Sequence, residues 1–197
     1  MNTAPTELTR ADILPMNEYR AIRKERKAAV SDLKKNRRVK VGPFATFYFE
    51  NYETMWIQVH EMLHIEGGGE AQIDDELSAY NPLIPKGREL VATLMFEIGD
   101  PVRRGRELGR LGGVEHTIAI EVGGESIMAT PEADVERTRK SGKTSSVHFL
   151  HFSFSDAQAG KFRDPAVDVL LRIGHEHYGH GAVIAPAVRA ALAKDFA

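Results

Sequence analysis

The chain has 197 residues, of which 42% are hydrophobic and 27% are charged, and its formal net charge is −2 at neutral pH. This size and composition are typical of one globular domain with a substantial core. Because the sequence has no cysteine, it excludes disulfides, thiolate metal sites and cysteine-held iron–sulfur clusters. It also has no run of 18 apolar residues and no signal peptide in residues 1–15, so we expect a cytoplasmic protein that does not contact a membrane.

The predicted elements of the first half are helices around one strand. Asn17 can cap a long helix that ends near Lys35, and the apolar residues between them recur with a helical period. Residues 39–50, which are rich in phenylalanine and tyrosine, predict a strand. A helix is expected from Tyr52, and a second helix is expected to end at Tyr80 before a proline-rich segment.

Strands dominate the second half. Residues 90–98 alternate between apolar and polar side chains, and residues 101–111 predict a short helix that two glycines end. Further strands are expected at residues 117–122, 126–130, 145–154 and 167–173, with a helical turn at 131–139 and a final helix from Pro186. We predict an α+β fold, in which residues 1–38 form a basic helical arm and residues 39–197 form a mostly antiparallel sheet with flanking helices. The arm and the sheet are expected to be one structural unit.

Basic residues are concentrated in the arm. Residues 20–40 contain ten lysines and arginines against Glu25 and Asp32, a charge of +8, which leaves −10 for the rest of the chain. This segment is either an arm that binds nucleic acid or an acidic partner, or a solvated helix face that complements the acidic body. Because no aromatic residues are interleaved and no nucleic-acid motif is present, we favour the helix face and expect no binding to nucleic acid.

The segment His60-Glu61-Met62-Leu63-His64 matches the core of a zinc hydrolase motif. Two histidines at i and i+4 share a helix face and can bind zinc, and the glutamate between them can act as general base. Glu70 stands where related motifs have a third ligand. The corresponding hypothesis is a metal-dependent hydrolase with His60, His64 and Glu70 as ligands and Glu61 as the base.

Two observations favour a structural interpretation of this segment. On a helical wheel, both histidines lie on the flank of the apolar stripe, where substitutions behave like surface changes. Only one predicted strand precedes the helix, whereas a hydrolase of that type has most of its sheet before it. The stripe itself contains Tyr52, Met55, Trp56, Val59, Met62 and Leu63.

A second histidine cluster follows the last predicted strand. His175, His177 and His180 are spaced so that neutral imidazoles can bind a metal together with Glu176. The alternative is a polar loop in which His175 forms a local hydrogen bond. We favour the loop, because no helix face fixes the rings.

Several polar residues border apolar segments that are expected to pack in one core. Burying such groups requires partners, and mutual hydrogen bonds around one cavity would supply them. We therefore predict that at least three of the six residues named below line one cavity. If the site is catalytic, we expect Glu97 or Glu61 to pair with His148. The six residues are Glu61, Tyr80, Asn81, Glu97, His148 and His175.

Long phrases of the chain resemble the bacterial domain-of-unknown-function family 3501. They cover residues 41–51, 58–66, 76–85, 92–97 and 144–152, and the likeness extends from about Leu8 to the C-terminus. The family has no assigned reaction. Where this chain has His60-Glu61-Met62-Leu63-His64, the family pattern reads Gln-Glu-Met-Leu-Arg, so both supposed ligands depart from it while the glutamate is kept. Members are found near rubrerythrin-like and iron–sulfur oxidoreductase genes, which implies an accessory role in redox or metal metabolism.

Two hypotheses follow from these observations. The first is an accessory or binding protein that acts with an iron–sulfur or diiron redox partner through the basic arm and a polar pocket. The alternative is the metal-dependent hydrolase built on the His60-Glu61-x-x-His64 motif. The sequence does not indicate a cofactor for the first hypothesis. The metal content of the purified protein distinguishes the two hypotheses.

Overall fold

The computed structural model describes residues 5–132 and 142–197. Each element is numbered in chain order. The α-helices are α1 (Met16–Lys35), α2 (Tyr52–Glu66), α3 (Glu70–Tyr80), α4 (Pro101–Gly109), α5 (Asp156–Arg163) and α6 (Pro186–Leu192). The strands are β1 (Arg38–Val41), β2 (Ala45–Glu50), β3 (Glu89–Phe96), β4 (Ile118–Val122), β5 (Glu125–Met128), β6 (Thr130–Pro131), β7 (Val147–Ser153), β8 (Val169–His175) and β9 (Tyr178–Val183).

The strands form two sheets. Sheet A has the order β1-β2-β3-β7-β6, sheet B has the order β5-β4-β8-β9, and all neighbouring strands are antiparallel. Alternate residues of a strand point to the same face, and the inner faces of both sheets contribute to the main hydrophobic core. This core includes Phe47, Leu94 and Phe152 from sheet A, and Ile120 and Leu171 from sheet B. The predicted α+β fold with antiparallel pairing is confirmed.

A second core joins the helices to the outer face of sheet A. Val91 of β3 belongs to the same buried cluster as Trp56 and Val59 of α2. Helix α1 contacts α2 and contributes Tyr19 and Val30 to this cluster. The basic N-terminal helix is therefore held on the sheet by buried side chains, which places its charges at fixed positions.

Three predicted elements differ from those in the structure. Residues 39–50 form the β1–β2 hairpin and not one strand, because Gly42 adopts a φ of 68° in the turn between the strands. Helix α1 begins at Met16, one residue before the predicted cap Asn17. The expected polar loop after residue 173 is the β8–β9 hairpin. The sequence does not show β9 because most of its residues are exposed and it has no alternating pattern of apolar side chains.

The segment predicted as a helical turn at residues 131–139 lies mostly outside the described residues. Its first residue, Pro131, belongs to the two-residue strand β6. Among the helices that the structure describes, none is both long and apolar enough to cross a membrane.

Candidate functional site

His60 lies inside the interface between α1 and α2. Its side chain is fully buried between the rings of Tyr19 and Trp56, at centroid distances of 4.7 and 3.9 Å. The Leu14 N–H donates to Nε2 over 3.0 Å, so Nδ1 carries the proton and donates to the Trp56 carbonyl oxygen over 2.7 Å. Burial lowers the pKa of His60 and keeps the ring neutral. The expected flank position is wrong for His60, because the segment before α1 covers the ring.

Glu61 binds three side chains of α1. Arg23 donates to both carboxylate oxygens, from Nε over 2.6 Å and from Nη2 over 2.8 Å. Lys27 and the Tyr19 hydroxyl donate over 3.0 and 2.7 Å. These bonds, above all those from Arg23, lower the pKa of Glu61 to about 2. Glu61 is therefore an ionised anchor between the two helices.

The other two residues of the hydrolase hypothesis lie apart from this anchor. His64 is half-buried, with its ring centroid 6.3 Å from that of Tyr19. Glu70 is exposed at the start of α3 and lines a cavity of about 410 Å³ with Arg10 and Met16. No group of three or more His, Asp or Glu side chains that could hold one metal ion occurs in residues 5–132 and 142–197.

These contacts do not fit a catalytic zinc site. A zinc ligand needs a free ring nitrogen, and both nitrogens of His60 are bonded to backbone groups. A general base works best with a pKa near the pH of the reaction, and the pKa of Glu61 is about 2. The residues that match the zinc motif therefore form part of a contact between the two helices. We call this contact the α1–α2 latch, and it consists of Tyr19, Arg23, Trp56, His60 and Glu61.

Glu97 and His148 lie on opposite faces of sheet A. Glu97 accepts hydrogen bonds from the Tyr48 hydroxyl over 2.6 Å and the Thr46 hydroxyl over 2.7 Å, which lower its pKa. His148 is fully buried on the inner face, where its Nε2 lies 3.0 Å from the carbonyl oxygen of Ser145. The predicted pair of Glu97 with His148 is not formed, because residues 94 and 148 are cross-strand partners and Glu97, three residues further on, faces the other way.

A carboxylate that the sequence analysis missed lies beside His148 instead. Glu115 is buried in the short 3-10 turn before β4, and its Oε2 lies 3.9 Å from Nδ1 of His148. A single turn of four residues has no periodic pattern that could place an acid against a strand. The sequence therefore had no signal for this neighbour.

The remaining candidates have local structural contacts. Asn81 binds both backbone groups of Leu8, with Oδ1 accepting over 2.8 Å and Nδ2 donating over 2.9 Å, so it fixes the N-terminal segment. The Tyr80 hydroxyl accepts from Gln58 over 3.3 Å. His175 Nδ1 accepts from the backbone of His177 over 3.2 Å, so Nε2 donates to the carbonyl of residue 112 over 3.2 Å. His175 thus has the local hydrogen bond expected of it, although the segment forms the β8–β9 hairpin and not a loop.

The six pocket candidates are distributed over separate parts of the molecule. Four cavities of the described region have volumes of about 320 to 540 Å³. Asn81 lines one of them with Leu77 and Lys86, and the other five candidates line none of the four. No three of the six line any one of these four cavities, and each of the six side chains hydrogen-bonds to a residue outside the set.

A charged cluster on β7 also escaped the sequence analysis. His151 Nδ1 lies 3.1 Å from Glu89, and its Nε2 lies 3.8 Å from Glu132. The hydrogen bond to Glu89 raises the pKa of His151. The two acids are distant in sequence from the histidine, and only the antiparallel pairing of β7 with β3 and β6 brings them together.

Comparison with known proteins gives the family. A family model described as a protein of unknown function (DUF3501) matches residues 7–196. The chain belongs to this family. The chain is also similar to a crystal structure from Burkholderia pseudomallei K96243, described as a novel protein of unknown function. It has 38% sequence identity and a TM-score of 0.88, and the match covers 96% of this chain and 99% of that chain. A search of curated proteins gives no match.

Proposed function

We propose that this DUF3501 protein is an accessory protein that binds an acidic redox partner, an iron–sulfur or diiron protein, in the cytoplasm. The observation that carries the proposal is the division of α1 into two rows of basic side chains. The gene setting of the family it resembles supports the class of partner, and the absence of cysteine is consistent with a reducing compartment.

The inner row fixes the helix. Arg23 binds Glu61, and Arg26 binds Glu53 over 3.2 Å, so these two charges are neutralised by α2. The guanidinium of Arg26 also lies 4.5 Å above the ring of Trp56. These contacts hold α1 in one position and orient its other side outward.

The outer row forms what we call the basic ridge: Arg20, Lys24, Lys27 and Lys35. At 3.6 residues per turn, these positions fall within roughly 80° of the helix circumference and extend over about 22 Å. Arg20 and Lys24 are exposed, and neither forms an ion pair with any residue of the described segments. Lys27 is 49% exposed although it also reaches Glu61. A rigid cationic row of this kind favours an acidic protein surface and speeds its association.

The acids of α1 lie beside the ridge, and Asp32 forms an ion pair with its last residue, Lys35, over 2.6 Å. Glu18, Glu25 and Asp32 lie together on a neighbouring side of the helix. Arg38 on β1, which follows the helix, is exposed and adds a further positive charge beyond the end of the ridge. The first part of the ridge, Arg20 and Lys24, therefore presents positive charge to a partner.

A binding measurement with a matched control tests this proposal. The probe is the purified rubrerythrin-like diiron protein of the same organism, titrated at about 50 and 300 mM salt to vary screening. The double change Arg20→Glu with Lys24→Glu is expected to weaken binding at low salt by at least about tenfold. The control is Arg103→Glu with Arg106→Glu on α4, which changes the net charge equally at exposed positions.

Specific outcomes separate docking from a general effect of charge. The proposal requires that the wild-type affinity falls with salt and that the α4 control binds as the wild type does. Equal weakening by both double variants would contradict the ridge as the docking site. No binding by the wild type to this diiron protein or to an iron–sulfur protein of the same organism would contradict the proposed function.

A further inference from the structure

Strand β9 is an edge of sheet B that lacks the usual protection. Natural sheets protect their edges with charged residues, proline, bulges or very short strands. The edge strand β1 carries exposed Arg38 and Lys40, β5 has four residues and carries Glu125 bound to Lys161, and β6 has only two residues. Strand β9 has six residues, none of them Lys, Arg, Asp, Glu or Pro, and it pairs with β8 without a bulge.

The first half of β9 is covered by the β1–β2 turn. The Tyr178 hydroxyl donates to the carbonyl of Val41 over 2.8 Å and accepts from the backbone of Phe44 and Ala45 over 3.1 Å. The His180 ring packs against this turn, because an added Cβ at residue 42 would lie 2.6 Å from it. The second half of the strand extends beyond this cover.

The open half presents backbone groups and a small apolar surface. The N–H of Ile184 donates to Val169 on β8, so the backbone groups of Gly181 and Val183 point away from β8. Within residues 5–132 and 142–197, no strand pairs with this edge. Val183 is 71% exposed and lines a cavity of about 320 Å³ together with Val167 and Pro186. Val183 therefore belongs both to the edge and to the lining of this cavity, which also includes Arg163, Asp168 and Arg189.

We infer that a second copy of this chain pairs with β9 through the edge at Gly181–Val183, in antiparallel fashion about a two-fold axis. Antiparallel pairing of identical edges is self-complementary, because each outward N–H meets an outward C=O of the other copy. The strand has no formal charge at neutral pH, so the two copies do not repel each other at the axis. Small side chains at Gly181 and Ala182 permit close approach of the strands. The contact covers both copies of Val183 and continues sheet B across the axis.

Sedimentation velocity of the full chain over about 1 to 200 µM tests this inference, because association follows protein concentration. The wild type is expected to be a dimer in this range. Val183→Lys places like charges near the axis and is expected to raise the dimer dissociation constant by at least about tenfold. Met128→Lys is the matched control, since Met128 is a half-exposed residue on β5, the opposite edge of the same sheet. Its dissociation constant is expected to equal that of the wild type.

Hydrogen exchange provides a second readout that does not depend on a variant. The outward amides of Gly181 and Val183 are expected to exchange more slowly as the protein concentration rises through the dissociation constant. A wild type that remains monomeric over the whole range overturns the inference, as does a dimer in which Val183→Lys and Met128→Lys behave alike. If the protein is a monomer, the edge remains available for pairing with an extended segment of another protein.

Discussion

Glu61 binds Arg23, Lys27 and Tyr19, so its carboxylate stabilises the contact between α1 and α2. The residue has the place in the sequence that a general base would have. Its environment, however, favours the charged form so strongly that the carboxylate is a poor proton acceptor at neutral pH. At the scale of single residues, the chemistry of this segment is therefore decided by what surrounds Glu61.

We expect Glu61→Gln to lower the free energy of unfolding at pH 7 by about 2 kcal/mol, because charge-assisted hydrogen bonds to a mostly buried carboxylate are lost. The measurement is chemical denaturation of the whole chain. Glu25→Gln serves as the control, since Glu25 is exposed on α1 and the same change there should have almost no effect. An equal effect of the two substitutions would contradict the latch.

The same substitution has a defined pH dependence. The pKa of Glu61 is about 2 in the folded protein against 4.5 for an ordinary glutamate, so the folded state favours the ionised form. The stabilisation is complete above pH 4.5 and is lost as the pH falls from 4.5 towards 2. The difference in stability between wild type and Glu61→Gln should therefore shrink over this window. A difference that stays constant from pH 7 to pH 2 would show that the charge of Glu61 contributes nothing.

The sequence predicted part of this environment. The helical wheel identified part of the buried surface of α2, since Met55, Trp56, Val59 and Leu63 are buried, but Thr54 and Ile57 outside its stripe are buried as well. It misplaced His60, because the ring is covered by a segment more than 40 residues earlier in the chain, which donates the Leu14 N–H. A wheel describes one helix, and it contains no information on what crosses that helix.

At the scale of elements, strands buried on one face were predictable and exposed ones were not. Strands β3, β4, β7 and β8 each have alternating or apolar patterns because one face lies in the main core. The β1–β2 hairpin was predicted as one strand, although Gly42 and Pro43 mark the turn, because apolar residues continue on both sides of them. Strand β9 has mostly exposed residues, so its pairing comes from the register with β8 and not from a pattern of its own.

A buried ion pair joins two distant elements. Arg37, just before β1, binds Asp195 near the C-terminus over 2.5 and 3.2 Å, and both side chains are nearly inaccessible. Arg37 also donates to the carbonyls of Phe49 and Glu50 over 2.9 Å. The two charges are 158 residues apart, and no local pattern in the sequence pairs them.

We expect Asp195→Leu to lower the free energy of unfolding by about 3 to 5 kcal/mol, because it leaves the buried Arg37 charge without a counterion. The double variant Arg37→Met with Asp195→Leu should recover a large part of this loss, since no uncompensated charge remains. The free energies of unfolding of the two single variants, Arg37→Met and Asp195→Leu, and of the double variant come from denaturation curves. Together they form a double-mutant cycle. A double variant whose loss equals the sum of the two single losses would contradict the pairing.

At the scale of the whole molecule, composition and alternation were sufficient for the fold class. They did not predict that the strands divide into two sheets, because the order of strands depends on long-range contacts such as those between β3 and β7. The charge asymmetry was visible in the sequence, and its meaning depended on the packing of α1. Part of the positive charge is neutralised by Glu53, Glu61 and Asp195, and the remainder forms the basic ridge.

We propose that the histidines of the zinc-like motif have structural roles and that the protein acts by binding a partner. The most direct test is the zinc content of the purified full chain, measured by elemental analysis, for the wild type and for His60→Gln and His64→Gln. The account predicts far less than one zinc per chain in all three, together with a greater loss of stability for His60→Gln than for His64→Gln, because only His60 is fully buried. One equivalent of zinc in the wild type that either substitution removes would contradict the account and support the hydrolase.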